Sequence, residues 1–398
     1  MSRFKNFKPI LLSEILEEIR KPVNVILSEE YKQIGIRSHG LGIFHKEPVS
    51  GEQLGNKSVF WVEPNCLVFN IVFAWEGAVA LTSNKEVGMI ASHRFPMYKS
   101  KLETAIPEYL RLFFTTSYGK HLLALASPGG AGRNKTLGKE RLLRVKVNLP
   151  SVPEQKKIAE ILGTWDSAIT VTENLIAAKL KLRNTLQNKL FTFKEASYKK
   201  IGHIAHVKSG STPLRSKYEE YFENGKIPWV KTMDLNNSFI YKTDELITQK
   251  AIHETSCTIF PKEAVLVAMY GGFNQIGRTG LLKVDAAVNQ AISAIQLNQA
   301  VVIPEYLLQY LNAKVGYWQR FAASSRKDPN ITRKDVCDFP IQIPSILEQK
   351  NIVDVLKTSD FEIEALKKYH NLLRVQKRGL MQKLLTGEWR VKIEKGNS

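Results

Sequence analysis

The chain has 398 residues, 43% of them hydrophobic and 24% charged, and 57 Lys plus Arg against 38 Asp plus Glu leave a net charge of +19. That length calls for two or three globular units, and no run nears the roughly 18 apolar residues of a bilayer span or forms a secretion signal, so a cytoplasmic chain without a membrane partner is expected. The charge excess points to a polyanion, with nucleic acid the leading partner and an acidic protein the alternative, although phosphate neutralisation carries no sequence preference.

The first displayed stretch is GIRSHGLGIF at 35–44, where Arg37, Ser38 and His39 stand between glycines. SVFWVEPNCLVFNIVFAWEGAVALTS, rich in β-branched and aromatic residues, predicts strands. IPEYLRLFFTTSYGKHLLALA predicts one amphipathic helix. A loop then carries Arg133, Asn134 and Lys135 in GGAGRNKT. PSVPEQKKIAEILGTWDSAI at 150–169 opens a much longer helix. Ser151 and Glu154 form an S-x-x-E capping pattern, and Pro153 suits a first turn. Ile158, Ile161, Leu162, Trp165, Ile169, Ile176, Leu182, Leu186 and Leu190 follow at near 3.6 spacing.

The second half opens with HVKSGSTPLRSKYEEYFENGKIPWVKTMDL, where turns at Gly210, Pro213 and Gly225 display Lys208, Ser211, Thr212, Arg215 and Lys217. KEAVLVAMYGG and GRTGLLKV, the latter holding Arg278, predict strands, and IPEYLLQYLNAKVGYWQRFAA predicts a helix. The loop SSRKDPNIT brings Arg326, Lys327 and Asn330, with Arg333 just beyond. PSILEQKNIVDVLKTSDFEI at 344–363 then begins a second long helix, with Ser345 and Glu348 as its capping pair. Its apolar positions are Ile352, Val355, Leu356, Ile363, Leu366, Leu373, Leu380 and Leu384, and Gly387 stops it.

The chain is a duplication. Without gaps, Pro150 matches Pro344, and Glu154, Gln155, Lys156, Leu162, Asp166 and Lys189 match Glu348, Gln349, Lys350, Leu356, Asp360 and Lys383. IPEYL occurs in both halves, Gly119 falls on Gly316, Pro64 on Pro261 and Gly77 on Gly277. A unit of about 200 residues is therefore written twice, with unlike loops on a repeated scaffold. Each long helix is a rod of roughly 55 to 60 Å with one apolar stripe and a basic remainder, and its own repeat is the readiest partner. The expected fold class is α+β, with two mixed α/β domains separated by two long antiparallel helices that form a coiled-coil spacer, related by an internal pseudo-twofold. The alternative is that each helix packs on its own unit as an ordinary core helix.

No catalytic motif emerges. GGAGRNKTLGKE has five residues between Gly132 and Gly138 where a phosphate loop needs four, and Glu140 stands where a Ser or Thr belongs. Cys66, Cys257 and Cys337 are too far apart for a disulfide framework or a metal pair, and His203 and His206 have no further ligands nearby. Arg and Asn suit guanine and adenine edges, so base reading is expected on the variable basic loops, although each of these residues suits a phosphate contact as well.

With LPSVPEQKKIAEILGTWD and IPSILEQKNIVDVLKTSD, the GSTP and IPWVKTMDL stretches, GRTGLLKV with VNQAI, and GIRSHGLGIF, the chain resembles the specificity subunit of a type I restriction-modification system. The resemblance implies target recognition domains at 1–149 and 196–343, spacer helices at 150–195 and 344–390, and a tail at 391–398. It implies a bipartite double-stranded DNA target and no catalysis by this chain. Two methyltransferase subunits would dock on the helices, where Glu154, Gln155, Ile158, Leu162, Trp165 and Asp166 in the first and Glu348, Gln349, Ile352, Leu356 and Asp360 in the second are the candidate spacer and partner-binding residues. A restriction and translocase subunit would complete the complex. S-adenosylmethionine, ATP and Mg would belong to those partners, leaving this chain without a cofactor. The competing reading is a non-catalytic two-headed scaffold for acidic protein or RNA. Leu347 replaces Pro153 in the second copy, and the first half lacks the GSTP opening.

Overall fold

The computed structural model describes residues 7–130, 135–193, 198–271, 275–318 and 330–393. The chain divides into two units, 1–173 with 368–398, and 174–367. Each long helix, Val152–Leu190 and Ile346–Leu385, is continuous through the point where the division falls, so each unit contains the start of one helix and the end of the other.

In the first unit, Leu16–Ile19, Met97–Ser100, Leu67–Phe69 and Val79–Leu81 lie in that order in an antiparallel sheet. Lys8–Leu11 pairs with Lys146–Leu149 beside it. The predicted single helix at 106–126 is two, Pro107–Thr115 and Ser117–Leu125. Thr116 takes an extended ψ of 162°, and its hydroxyl accepts the Gly119 amide at 3.0 Å, capping the second helix. A side chain at Gly119 would sit 2.2 Å from the Phe113 carbonyl oxygen, so this tight helix-to-helix turn needs glycine. Its sequence match, Gly316, meets nothing within 4 Å. The core gathers Phe69, Tyr98, Tyr109, Phe113 and Phe114 with Ile158 and Leu162 from the first long helix and Leu384 and Leu385 from the second. Each of these aliphatic side chains contributes about 1.5 to 3 kcal/mol by burial.

The second unit has a five-stranded sheet, in the order Ala205–Ser209, Ile292–Leu297, Val265–Ala268, Thr279–Leu282 and Ser238–Ile240, and a four-stranded sheet built around Ile227–Val230 and Ala286–Val288. The duplication survives as geometry. Leu67 pairs with Leu81 and Phe69 with Val79, as Val265 pairs with Leu281 and Val267 with Thr279. Gly77 and Gly277 both hold left-handed backbone, with φ of 79° and 76°. Here Phe191, Tyr306, Tyr310, Trp318 and Phe339 close over Ile352 and Leu356.

The repeated Glu-Gln has two different fates. Gln155 is fully buried and accepts the Ile106 amide at 2.9 Å, while its own amide donates to the carbonyls of Thr104 and Pro150 at 3.0 and 2.9 Å. Gln349 repeats this in the second unit with the Ile303 amide and the Val301 and Pro344 carbonyls, all at 2.9 Å. Glu348 caps its helix as the sequence suggests, bonded to the Ser345 amide and hydroxyl. Glu154 does not: it is buried and takes Arg390 at 2.5 and 2.6 Å, because the segment after the second helix folds back over the first unit. Gly387, at φ 73°, makes that turn against Phe7.

Within each unit the two helix segments run antiparallel. In the first, Lys377 bonds Asp166 and His370 meets Glu173 at 2.8 Å. In the second, Arg183 bonds Asp360 at 2.8 Å and Lys179 meets Glu362 at 2.7 Å. Asp166 and Asp360 are repeat equivalents, so one ion pair occurs twice. Leu182 and Val355, which the apolar spacing assigned to the buried stripe, are 49% and 44% exposed. Buried Thr172 and Gln187 take places that the spacing left to polar residues outside the stripe.

Candidate nucleic-acid interface

In the first unit the strands Ile34–Ile36 and Ile43–His45 present the loop at 37–42. His39, Gly40 and Gly42 have φ of 60°, 70° and 78°, so the loop turns sharply where two of three such positions are glycine. The turn Ala74–Glu76 holds it: Ser38 Oγ donates to Glu76 Oε2 at 2.8 Å, the His39 amide to the Glu76 carbonyl at 3.1 Å, and the Gly40 amide to the Gly77 carbonyl at 2.9 Å. Arg37 is exposed, with its guanidinium over Phe44 at 5.1 Å. Lys135 reaches the same turn, its ammonium 5.4 Å from the Trp75 ring centre. Two loops far apart in sequence are thus brought to one place. Arg133 and Asn134 lie outside the described residues. Trp75, Glu76 and the nearby Lys120 were not singled out from the sequence; the signal was an acidic residue and a glycine interrupting an otherwise apolar run.

In the second unit the bonds from the Gly210 amide to the Ile292 carbonyl, Met269 to Ala291, Ala268 to Arg278 and Ile331 to Met269 gather the segments bearing Ser211, Arg278 and Asn330. Arg333, exposed, begins the helix Arg333–Asp338. Arg326 and Lys327 lie outside the described residues. Lys208 bonds Thr258 at 2.8 Å, and Ser211 Oγ lies 2.8 Å from that of Ser256. Thr212 is half-buried beside it. Lys217 sits 5.4 Å from the Tyr221 ring centre and 4.0 Å from Glu220.

Arg215 is more tightly held. Its Nη2 meets Glu245 Oε2 at 2.7 Å, and its guanidinium lies over Phe222 at 4.3 Å and Trp229 at 5.2 Å. Lys231 takes the other oxygen of Glu245 at 2.7 Å. Partial burial pushes the Glu245 carboxyl upward, but the Lys231 hydrogen bond and the adjacent Arg215 guanidinium outweigh it and hold the group below the usual carboxylate range. Glu245 and Lys231 had no sequence signal of their own.

Of the candidate spacer residues, Glu154, Gln155, Ile158, Leu162, Gln349, Ile352 and Leu356 are buried within the units. Trp165 and Asp166 are half-buried, and Glu348 is exposed at its cap. Asp360 is half-buried against Arg183. What the helices show outward is a different apolar set: Val171, Tyr369, Leu372 and Val375 in the first unit, and Leu175, Leu180, Leu182, Leu347, Val355 and Phe361 in the second. Among the described residues no helix is long and apolar enough to cross a membrane.

The family model of the type I restriction modification DNA specificity domain matches residues 67–181 and 194–374. The specificity subunit of the type I restriction enzyme EcoR124I/EcoR124II of Escherichia coli is 26% identical over 227 residues, which cover 54% of this chain and 55% of that protein. The match therefore spans about half of that relative's length. The MjaVIII specificity subunit of Methanocaldococcus jannaschii is 24% identical over 396 residues, covering 92% of this chain and 86% of that one. Among solved structures, the HsdS subunit from Thermoanaerobacter tengcongensis superposes with a TM-score of 0.54 at 16% identity, covering 96% of this chain and 97% of that one. A chain from a structure of type I R-M complex assembly and conformational transition gives 0.64 at 16% identity, with 96% and 98% covered. These structural likenesses show the fold.

Proposed function

The chain belongs to the type I restriction modification DNA specificity family, and we propose that it reads a bipartite DNA target and recruits catalytic subunits to it while performing no chemistry itself. The recognition domains are 1–149 and 196–343, with Arg37, Ser38, His39 and Lys135 in the first and Lys208, Ser211, Thr212, Arg215, Lys217, Arg278, Asn330 and Arg333 in the second as the DNA-contacting groups. One observation carries this reading: the same scaffold, down to the buried Gln155 and Gln349 clamps, supports chemically unlike loops. A repeated frame with unlike tips suits two different short words better than one acidic protein surface. The net charge of +19 supplies the sequence-independent part of binding.

The helices are proposed to set the gap between the words and to dock two methyltransferase subunits. A partner would meet the exposed Val171, Tyr369, Leu372 and Val375 more readily than the buried stripe. Mapping methylated adenines in cells with and without this chain tests the reading. The expected result is one split motif that disappears with the chain. Unchanged methylation would return the protein to the class of two-headed scaffolds for acidic protein or RNA.

A further inference from the structure

We propose that Glu245 is a positioning residue for sequence reading by the second unit, presetting Arg215 to address a guanine edge; this rests on the DNA-recognition reading above. Arg215 combines three restraints. Its Nη2 is tied to Glu245 at 2.7 Å, and the guanidinium lies over Phe222 and Trp229 at 4.3 and 5.2 Å. The shelf beneath it is itself fixed, because the Trp229 indole N–H donates to the Ser211 carbonyl at 3.2 Å and Phe222 stacks on Tyr218 with ring centres 5.4 Å apart. The Arg215 side chain nevertheless remains 48% exposed, and its contact with Glu245 is a pairing of charges: among the described residues none of its N–H groups makes a hydrogen bond. The result is a guanidinium held in one place by charge and by two rings, with its N–H groups open.

That arrangement suits a base better than a phosphate. A phosphate anchor works by charge, and a lysine or a free arginine serves without any second residue. Pairing with Glu245 cancels much of the Arg215 charge while leaving its N–H geometry intact, so what the carboxylate adds is orientation. A planar guanidinium offered at a fixed angle matches the two acceptors of guanine, O6 and N7. Glu245 also holds Lys231 at 2.7 Å, which locks the segment after the strand Ile227–Val230 to the same point and leaves Arg215 little room to swing.

The test is selection of a randomised duplex library by the purified full chain, comparing wild type with Arg215→Lys, Glu245→Gln and Glu245→Asp, alongside salt titrations on a random-sequence duplex. Wild type is expected to enrich two words. Arg215→Lys and Glu245→Gln should each reduce preference for the same single guanine, in one word only, by roughly tenfold or more. Glu245→Asp, which keeps the charge but shortens the reach, should give a smaller loss at the same base. Affinity for the random duplex should change less than about twofold. Variants that enrich the wild-type words unchanged would overturn the proposal. So would Arg215→Ala, run alongside them, losing affinity uniformly on all DNA with the salt slope reduced by about 1, the mark of a phosphate anchor. Wild type enriching no word at all would instead sink the DNA-recognition reading on which the proposal stands.

Discussion

Replacing Gln155 by Leu keeps roughly the same volume but removes one acceptor and two donated bonds from a fully buried site. The Ile106 amide then has no partner, and the Thr104 and Pro150 carbonyls each lose one. An orphaned buried N–H costs about 1 to 3 kcal/mol, and an under-satisfied carbonyl somewhat less because it has a second lone pair. The added apolar surface offsets about 1 kcal/mol. The net loss is therefore about 3 kcal/mol, felt where the first long helix meets the helix Pro107–Thr115. Denaturant-dependent hydrogen exchange, read peptide by peptide, measures it: protection should fall in residues 104–114 and stay unchanged in 301–312. Gln349→Leu should give the mirror result, and the two changes should add within about 0.5 kcal/mol. A loss below about 1 kcal/mol, or an equal loss in both regions, would refute the idea that each glutamine clamps its own unit.

Arg390→Ala should lower the melting temperature by several degrees, about 2 kcal/mol, because it leaves the buried Glu154 carboxylate unpaired; the half-exposed arginine puts the loss below the usual range for buried pairs. Gly277→Ala should be worse than Gly77→Ala in thermal melts. Both positions need left-handed backbone, at about 1 to 2 kcal/mol, but a new Cβ at Gly277 would lie 2.3 Å from Trp318, whereas at Gly77 it meets a flexible Lys120 at 3.1 Å. Burial pushes the Cys66 thiol from 9.0 up to about 11, so it should resist alkylation at pH 8 until the protein unfolds. The sign for stability follows: between those two values only the unfolded thiol ionises, so stability should fall as the pH rises from about 9 to about 11.

The duplication, the two long helices and several strands were legible because repetition and apolar spacing are local properties of the sequence. The antiparallel partners were legible too, since a basic rod with one apolar stripe has few ways to bury it. What was hidden depends on distant chain. Glu154 reads as a cap until Arg390, more than two hundred residues later, arrives to claim it. The helix break at Thr116 was masked by continuous apolar spacing on both sides. At the candidate interface, spacing exposed the loops but not their anchors. Glu76 and Glu245 are ordinary acidic residues until the fold sets them beside Ser38 and Arg215.

The central claim, two readers on one ruler, is most directly tested by shortening the ruler without disturbing its register. Deleting residues 167–173 together with the antiparallel stretch 370–376 removes one heptad from each helix and leaves the Asp166 and Lys377 pair intact. Seven residues are about 10.5 Å of helix, or about three base pairs of B-DNA. Methylated-adenine mapping of cells carrying this variant with its methyltransferase subunits should show both words unchanged and the gap between them altered by about three base pairs. The wild-type gap persisting in an active variant would contradict the account.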